Sequence, residues 1–203
     1  MVILSALLAA TKPNAARAFR MVGVFSGTFD PIHNGHLELA KMAYEQAGLV
    51  KVVLLLDSTP RRKNNVTDLK HRLAMCQLVA NENKWLEVIS LNEAEFTIAH
   101  TLPVLQRRYG KNLSFIMGSD VFEHIAEWQG INTLVNYCSF IVGLRGHEGA
   151  MVQKVAKSIG VEAKIIKGLS PISSTQIRVD QQIRSRDTPP AVSNYILQNN
   201  LYP

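Results

Sequence analysis

Short apolar runs alternate with amphipathic stretches along the chain from residue 21 onward. The apolar runs are rich in Val, Ile and Leu with little polar alternation, as expected for strands buried on both faces. They predict strands at 21–26, 51–56, 86–91, 113–117, 138–144 and 163–167. Helices are predicted at 35–47, 68–81, 98–108, 121–127, 149–159, 175–183 and 189–198. This alternation predicts an α/β fold with a doubly wound parallel sheet, right-handed crossovers and a small helical part at the C-terminus.

The loops that follow the strands should carry the chemistry of such a fold. Ligands of doubly wound sheets bind beyond the carboxyl ends of the strands. The corresponding loops begin near Gly27, Asp57, Asn92, Gly118, Arg145 and Gly168. The candidate binding and catalytic residues of the chain lie in or just after those loops.

The composition is that of a globular protein with anionic partners. With 203 residues, of which 47% are apolar, the chain can bury a core, and residues 21–203 are expected to form one domain. The formal net charge of +6 favours nucleotides, nucleic acid or a membrane surface without choosing among them. Cys76 and Cys138 lack zinc or disulfide spacing, so we expect core thiols in a cytoplasmic protein. No apolar run approaches the ~20 residues that span a bilayer.

Residues 1–20 differ in character from the rest of the chain. An apolar stretch at 1–10 precedes Lys12, Arg17 and Arg20, which reverses the charge order of a secretory signal. We expect a poorly ordered extension, or a true start at Met21. An organelle leader is the second interpretation.

The loop after the first strand combines a tight turn with two histidines. Gly27 permits close approach to the backbone. A helix is predicted to begin near Asn34 and Gly35, so its amide groups and its positive dipole end point at one spot. His33 and His36 are three residues apart and can share one face there. Two imidazoles at an anion site can donate hydrogen bonds to phosphoryl oxygens and stabilise in-line phosphoryl transfer.

Two other interpretations of this histidine pair are a metal site and ordinary capping. A metal site would need a third ligand, and none is evident nearby in the sequence. Capping or surface positions would suit an isolated His-x-x-His. The ten-residue context after a buried strand favours the phosphate site.

The segment Gly27-Thr28-Phe29-Asp30-Pro31-Ile32-His33-Asn34-Gly35-His36 resembles the signature loop of the nicotinate/nicotinamide mononucleotide adenylyltransferases. Their wider superfamily includes the cytidylyltransferases and phosphopantetheine adenylyltransferase, and the resemblance runs from about residue 21 to the C-terminus. It implies a Rossmann-like fold and transfer of AMP from ATP, with Mg²⁺, to the mononucleotide, which releases pyrophosphate and forms deamido-NAD or NAD. The resemblance makes His33 and His36 catalytic, and it assigns ATP binding to Gly27, Thr28, Phe29 and Gly35.

A second phosphate loop is predicted where the chain reads Ile172-Ser173-Ser174-Thr175-Gln176-Ile177-Arg178. Hydroxyl side chains can cap a helix here while its amides hold an anion, and arginine adds a fork of donors. A plain cap with a solvated arginine fits the residues equally well. The segment resembles the family's Ser-Ser-Thr-x-Ile-Arg motif. That resemblance implies contacts of Ser173, Ser174, Thr175 and Arg178 with the departing phosphates of ATP.

The strand at 113–117 leads into Gly118-Ser119-Asp120, and Trp128 follows eight residues after the aspartate. An acid at a strand end can hold a ribose hydroxyl or a metal-bound water, and an indole can stack on a flat ring. Core packing is the alternative for the tryptophan. The family has the same Gly-x-Asp and Trp spacing. The resemblance therefore implies nucleotide binding by Gly118 and Asp120, and stacking of Trp128 on the pyridine ring.

Four further residues are assigned by resemblance. Thr97 lies in a segment similar to the family's Tyr-Thr-x-x-Thr-Leu, whose backbone meets the pyridine substituent. Lys63 matches a family lysine and Arg72 a recurrent arginine, which implies substrate binding, while Arg145 is expected near ATP. The family often has Pro-His where this chain has Arg61-Arg62, so we expect a changed geometry at the mononucleotide phosphate.

Two rival functions follow from the same residues. Another superfamily transferase, acting on phosphopantetheine or a choline-type phosphate, would lack the Thr97 segment and the Asp120 and Trp128 pair. A non-catalytic nucleotide-binding protein would not need the histidine pair. We expect no nucleic-acid or membrane partner, because the basic residues are dispersed without interleaved aromatics. The sequence leaves open homo-oligomerisation and the choice between the acid and the amide mononucleotide.

Overall fold

The computed structural model describes residues 20–60, 65–91 and 97–203. Six strands in these ranges form one sheet in which every neighbouring pair is parallel, in the order β3-β2-β1-β4-β5-β6. The strands are β1 (Val22–Gly27), β2 (Lys51–Leu56), β3 (Leu86–Ser90), β4 (Leu113–Gly118), β5 (Cys138–Gly143) and β6 (Ala163–Ile166). The strand order reverses between β1 and β4, and this switch point opens a crevice at their carboxyl ends.

Helices cover both faces of the sheet. They are α1 (Asn34–Gln46), α2 (Leu69–Glu82), α3 (Ile98–Tyr109), α4 (Ser119–Phe122), α5 (Ile131–Tyr137), α6 (Gly149–Ser158), α7 (Ser174–Val179), α8 (Gln181–Asp187) and α9 (Pro190–Gln198). No helix in the described ranges has the length and apolar character needed to cross a membrane.

Successive strand residues enter two separate cores, because side chains alternate across a strand. Phe25 and Leu54 lie in a cluster with residues of α1, α2 and α9. Val24 and Phe115 lie in a second cluster, on the face covered by α3, α5 and α6. Burial on both faces explains why the strands read as continuous apolar runs, and it confirms the predicted Rossmann-like doubly wound α/β class.

The predicted strands agree with the observed ones to within one residue at each end. Two helical predictions need correction. The predicted helix at 121–127 is the short α4 followed by a 3-10 turn at Ile125–Glu127. The predicted helix at 175–183 is two helices, because the Asp180 carboxylate accepts hydrogen bonds from the amides of Gln182 and Ile183 and starts α8 anew.

Candidate active site

The loop between β1 and α1 is packed tightly against the end of the sheet. Gly27 ends β1, and a Cβ added to it would lie 3.0 Å from the Phe29 ring. Phe29 has a left-handed backbone with φ 49°, and its buried ring meets the Phe25 ring edge-on at 5.4 Å. Because Gly27 has no Cβ, the Phe29 ring can pack against its backbone, and the loop can fold back on β1.

His33 and His36 lie side by side at the start of α1. Their rings stack with centroids 3.7 Å apart, and the His36 ring also contacts the Phe29 ring edge-on at 5.1 Å. His33 is the N-cap of α1: its Nδ1 accepts a hydrogen bond from the His36 amide at 3.3 Å. Because Nδ1 accepts, a neutral His33 ring carries its proton on Nε2 and can donate from there.

The environment of His33 keeps its imidazole neutral. The side chain is 1% exposed, and burial lowers its pKa from 6.5 to about 3, helped by the nearby positive charge of Arg145 and opposed by the carboxylate of Asp187. The neutral His33 caps α1 beside the half-buried His36, so two imidazoles lie together at one helix start. In the described part of the chain, no group of three or more His, Cys, Asp or Glu residues is placed to hold a metal ion.

The depressed pKa of His33 predicts a pH-dependent stability. Below pH 6.5 the His33 imidazole is protonated in the unfolded chain, whereas in the folded chain it stays neutral down to about pH 3. The free energy of unfolding should therefore fall as the pH drops from about 6.5 toward about 3, by up to about 1.4 kcal/mol per pH unit from this group. Urea unfolding at pH 7 and pH 5 measures the loss.

The matched control for this effect is His33→Asn, because asparagine also caps helices but does not titrate. We expect the variant to lose less stability between pH 7 and pH 5 than the unchanged chain. An equal loss in both proteins would show that other groups cause the pH dependence.

Residues 28–36, which carry both histidines, are here called the histidine loop, and α7 is hydrogen-bonded directly to them. Ser173 is the N-cap of α7, the Ser174 hydroxyl donates to the Pro31 carbonyl at 3.1 Å, and Arg178 Nη1 donates to the Asp30 carbonyl at 2.8 Å. The second Arg178 nitrogen donates to the Thr175 hydroxyl at 3.3 Å. The structure thus brings together the two loops that the sequence assigned separately to phosphate binding.

Gly35 makes that contact between the loops geometrically acceptable. A Cβ added to Gly35 would lie 3.2 Å from the His33 ring and 3.3 Å from the Ile172 side chain. The glycine in the His-Asn-Gly-His sequence therefore lets the second loop approach the histidines closely.

Asp120 and Trp128 both follow β4, on the other side of the switch point. The Asp120 carboxylate folds back over Gly118, because a Cβ on that glycine would lie 2.3 Å from Asp120 Oδ1. Trp128 ends the 3-10 turn, and its half-buried indole packs against the core on the α3 face. Arg145 is exposed in the loop after β5.

Thr97 is the first described residue before α3. Its hydroxyl accepts from the His100 amide at 3.4 Å, and its own amide donates to the Thr101 hydroxyl at 3.2 Å. Thr97 thus caps α3 in a reciprocal pair of bonds. Lys63, with the preceding Arg61 and Arg62, lies outside the described residues.

Arg72 has contacts that the sequence did not reveal. Its side chain is 1% exposed, and it packs against the loops that follow β1 and β2. The guanidinium donates to the carbonyl oxygens of Thr28, Asp57, Ser58 and Thr67, at 2.8–3.3 Å. These bonds connect it to the loops around the site, while direct contact with substrate stays a prediction.

Sequence reasoning also missed residues that lie close to the histidines. Glu38 Oε2 accepts from the Ser170 amide at 2.8 Å and ties α1 to the loop before α7. Asp187 lies within electrostatic reach of His33, and Asn34 donates to the Arg186 carbonyl at 3.4 Å. The available signal was weak: a helix ending in Arg-Asp is ordinary unless its position beside the histidines is known.

The sequence profile of the cytidylyltransferase-like family matches residues 24–180. A nicotinate-nucleotide adenylyltransferase of Bacillus subtilis strain 168 is 31% identical over 194 residues, which covers 90% of this chain and 98% of the relative. A probable nicotinate-nucleotide adenylyltransferase of Thermoanaerobacter sp. strain X514 is 33% identical, covering 89% and 93% of the two chains.

Solved structures agree on the fold. The nicotinic acid mononucleotide adenylyltransferase of Plasmodium falciparum, complexed with NaAD, superposes with a TM-score of 0.75 over 90% of this chain and 97% of its own. At 22% sequence identity, this likeness bears on architecture alone.

Proposed function

Because the chain belongs to the cytidylyltransferase-like family and, within it, to the nicotinate-nucleotide adenylyltransferases, we propose that its acceptor is nicotinate mononucleotide. The reaction is transfer of AMP from ATP to this acceptor, with release of pyrophosphate and formation of deamido-NAD, a step of NAD biosynthesis. The observation that carries the proposal is the joining of two loops. The loop that leads to the stacked imidazoles of His33 and His36 accepts hydrogen bonds from Ser174 and Arg178 at its Pro31 and Asp30 carbonyls.

The chemistry is a single in-line displacement. A phosphate oxygen of the mononucleotide attacks the α-phosphorus of ATP, the bond from that phosphorus to the β-bridging oxygen breaks, and pyrophosphate leaves. Negative charge grows on the oxygens of the α-phosphoryl group during the displacement. Donors from His36 and from Nε2 of His33 stabilise that charge, and the remaining contribution is positioning.

The other sequence assignments complete the proposal. Gly27, Thr28, Phe29 and Gly35 line the approach of ATP to the helix start. The β- and γ-phosphates lie toward Ser173, Ser174, Thr175 and Arg178, with Gly118, Asp120 and Arg145 as further nucleotide contacts. Thr97, Trp128, Lys63 and Arg72 serve the mononucleotide, and for Arg72 the role is to hold the loops that contact it.

A divalent metal accompanies ATP in this family, and we propose that it is Mg²⁺. Mg²⁺ is usually held by substrate phosphates, water and one or two carboxylates rather than by a protein cage. The exposed Asp120, which follows β4 at the same edge of the sheet, supplies a carboxylate that fits that mode. When bound, the metal neutralises part of the triphosphate charge.

The acid mononucleotide is favoured over the amide by the relatives' names and by electrostatics. The amino end of α3, capped by Thr97, carries a partial positive charge that favours an anionic pyridine substituent. Initial rates of pyrophosphate release with nicotinate mononucleotide, nicotinamide mononucleotide and phosphopantetheine, at equal concentrations with ATP and Mg²⁺, test this.

The expected result is the highest rate with nicotinate mononucleotide and no reaction with phosphopantetheine. A faster rate with the amide would overturn the assigned acceptor and leave adenylyl transfer intact. Tight ATP binding without turnover on any acceptor would instead indicate a non-catalytic nucleotide-binding protein.

A further inference from the structure

The C-terminal tail returns to the histidine loop. The chain leaves α9 at Gln198, and four residues later the Tyr202 hydroxyl donates to Asp30 Oδ1 at 2.6 Å. Tyr202 and Asp30 are 172 positions apart in sequence. The loop that contains the catalytic histidines is thus fastened by a residue that lies next to the last position of the chain.

Asp30 is a junction of several segments. It is 4% exposed, and its second carboxylate oxygen accepts from the Thr67 amide at 3.2 Å. Its carbonyl oxygen accepts from Arg178 Nη1 at 2.8 Å. The C-terminal tail, the segment before α2, and α7 therefore all meet at one residue, three positions before His33.

The tail itself is held in place by Arg184. This buried arginine of α8 donates to the Leu201 carbonyl at 3.5 Å, and its guanidinium lies 5.6 Å from the centre of the Tyr202 ring. It also donates to the carbonyls of Ile177 and Arg178, at 3.0 and 2.9 Å. The same side chain therefore links the tail to the phosphate loop.

Tyr202 is suited to act as a permanent hydrogen-bond donor. Burial and the bond to Asp30 raise the pKa of its phenol above the ordinary value of 10.0, so it stays protonated at working pH. Its backbone is left-handed, with φ 55°, which tyrosine adopts only where surrounding contacts hold it.

We propose that Tyr202 is a positioning residue for adenylyl transfer: its hydroxyl holds Asp30, and through Asp30 it holds His33 and His36 in register with Arg178. This rests on the proposed roles of the two histidines. Positioning of charge-stabilising groups affects the transition state more than it affects ground-state binding. Loss of the hydroxyl should therefore lower kcat more than it raises KM.

The test compares Tyr202→Phe with the matched variant Tyr195→Phe. Both changes remove one phenolic hydroxyl near the C-terminus, but the Tyr195 hydroxyl contacts His71 Nδ1, at 2.9 Å, and not the histidine loop. We expect Tyr202→Phe to lower kcat about tenfold, as for loss of a hydrogen bond to a charged group, with KM for both substrates changed less than about twofold. Tyr195→Phe should leave kcat within about twofold.

Hydrogen exchange of the peptide covering residues 28–36 supplies a readout without turnover. Exchange should be several-fold faster in Tyr202→Phe than in Tyr195→Phe if the hydroxyl orders the loop. An unchanged kcat in Tyr202→Phe, equal losses in both variants, or a Tyr202→Phe protein that does not fold would each overturn the proposal. Absence of turnover in the unchanged chain, with loop exchange still altered, would instead count against the proposed function.

Discussion

His36→Ala is expected to lower turnover by about 10²-fold or more, because one donor to the transition-state charge is lost. The His36 ring is fixed by stacking on His33 and by edge contacts with Phe29 and Phe25. A ring held in this way needs little reorganisation when charge develops on the α-phosphoryl oxygens. The loss should therefore appear in kcat, with a smaller change in KM for ATP.

The matched control for this variant is His71→Ala. His71 is also a partly buried imidazole at the start of a helix, but its Nδ1 contacts the Tyr195 hydroxyl instead of the histidine loop. We expect near-normal turnover from His71→Ala, with circular dichroism showing that both variants fold. Near-normal turnover from His36→Ala itself would remove His36 from the catalytic role.

The strands and the outline of the site could be predicted because their signals are local. A strand buried on both faces is apolar along its buried length, so the run at 52–56 is recognisable without any partner. The histidine pair is recognisable because three-residue spacing at a helix start places both rings together. The stacking of the rings in the structure has the same local origin.

Elements whose boundaries depend on tertiary contacts were predicted less well. Helix α5 was missed: Ile131–Tyr137 has only seven residues, several of them β-branched or polar, and its N-cap is a left-handed glycine, Gly130. Such a segment has little intrinsic helix preference, so packing of Leu134 in the core decides its conformation.

Contacts between distant segments were beyond sequence reasoning altogether. The bonds Glu38 to Ser170 and Tyr202 to Asp30 join positions 132 and 172 residues apart. Each end has a residue type that is common on surfaces, and only the folded sheet brings the two ends together. The contacts that join α7 to the loop after β1, from Ser174 to Pro31 and from Arg178 to Asp30, are long-range in the same way.

Arg72 has structural contacts that the family resemblance does not indicate. The resemblance to the family alone assigns Arg72 to substrate binding, because it matches a recurrent family arginine. In the structure the guanidinium is buried, and burial lowers the pKa of Arg72 while the Asp30 and Asp57 carboxylates oppose that shift. Its guanidinium donates hydrogen bonds to four backbone carbonyl oxygens, three of them in the loops that follow β1 and β2.

Arg72→Met is therefore expected to reduce the free energy of unfolding by about 3–5 kcal/mol, the range for breaking a buried, fully bonded charge network. Methionine fills much of the volume but leaves the carbonyls of Thr28, Asp57, Ser58 and Thr67 without these donors. Urea unfolding followed by circular dichroism measures the change. The matched control is Arg107→Met on the exposed side of α3, which should change stability by less than about 0.5 kcal/mol.

The two roles of Arg72 can be separated by the same pair of variants. If the guanidinium mainly holds the loops, Arg72→Met should lose stability and kcat together, because the histidine loop loses the bond at Thr28 and its geometry loosens. A normal unfolding free energy combined with a raised KM for the mononucleotide would instead assign Arg72 to direct substrate binding, as the family resemblance implies.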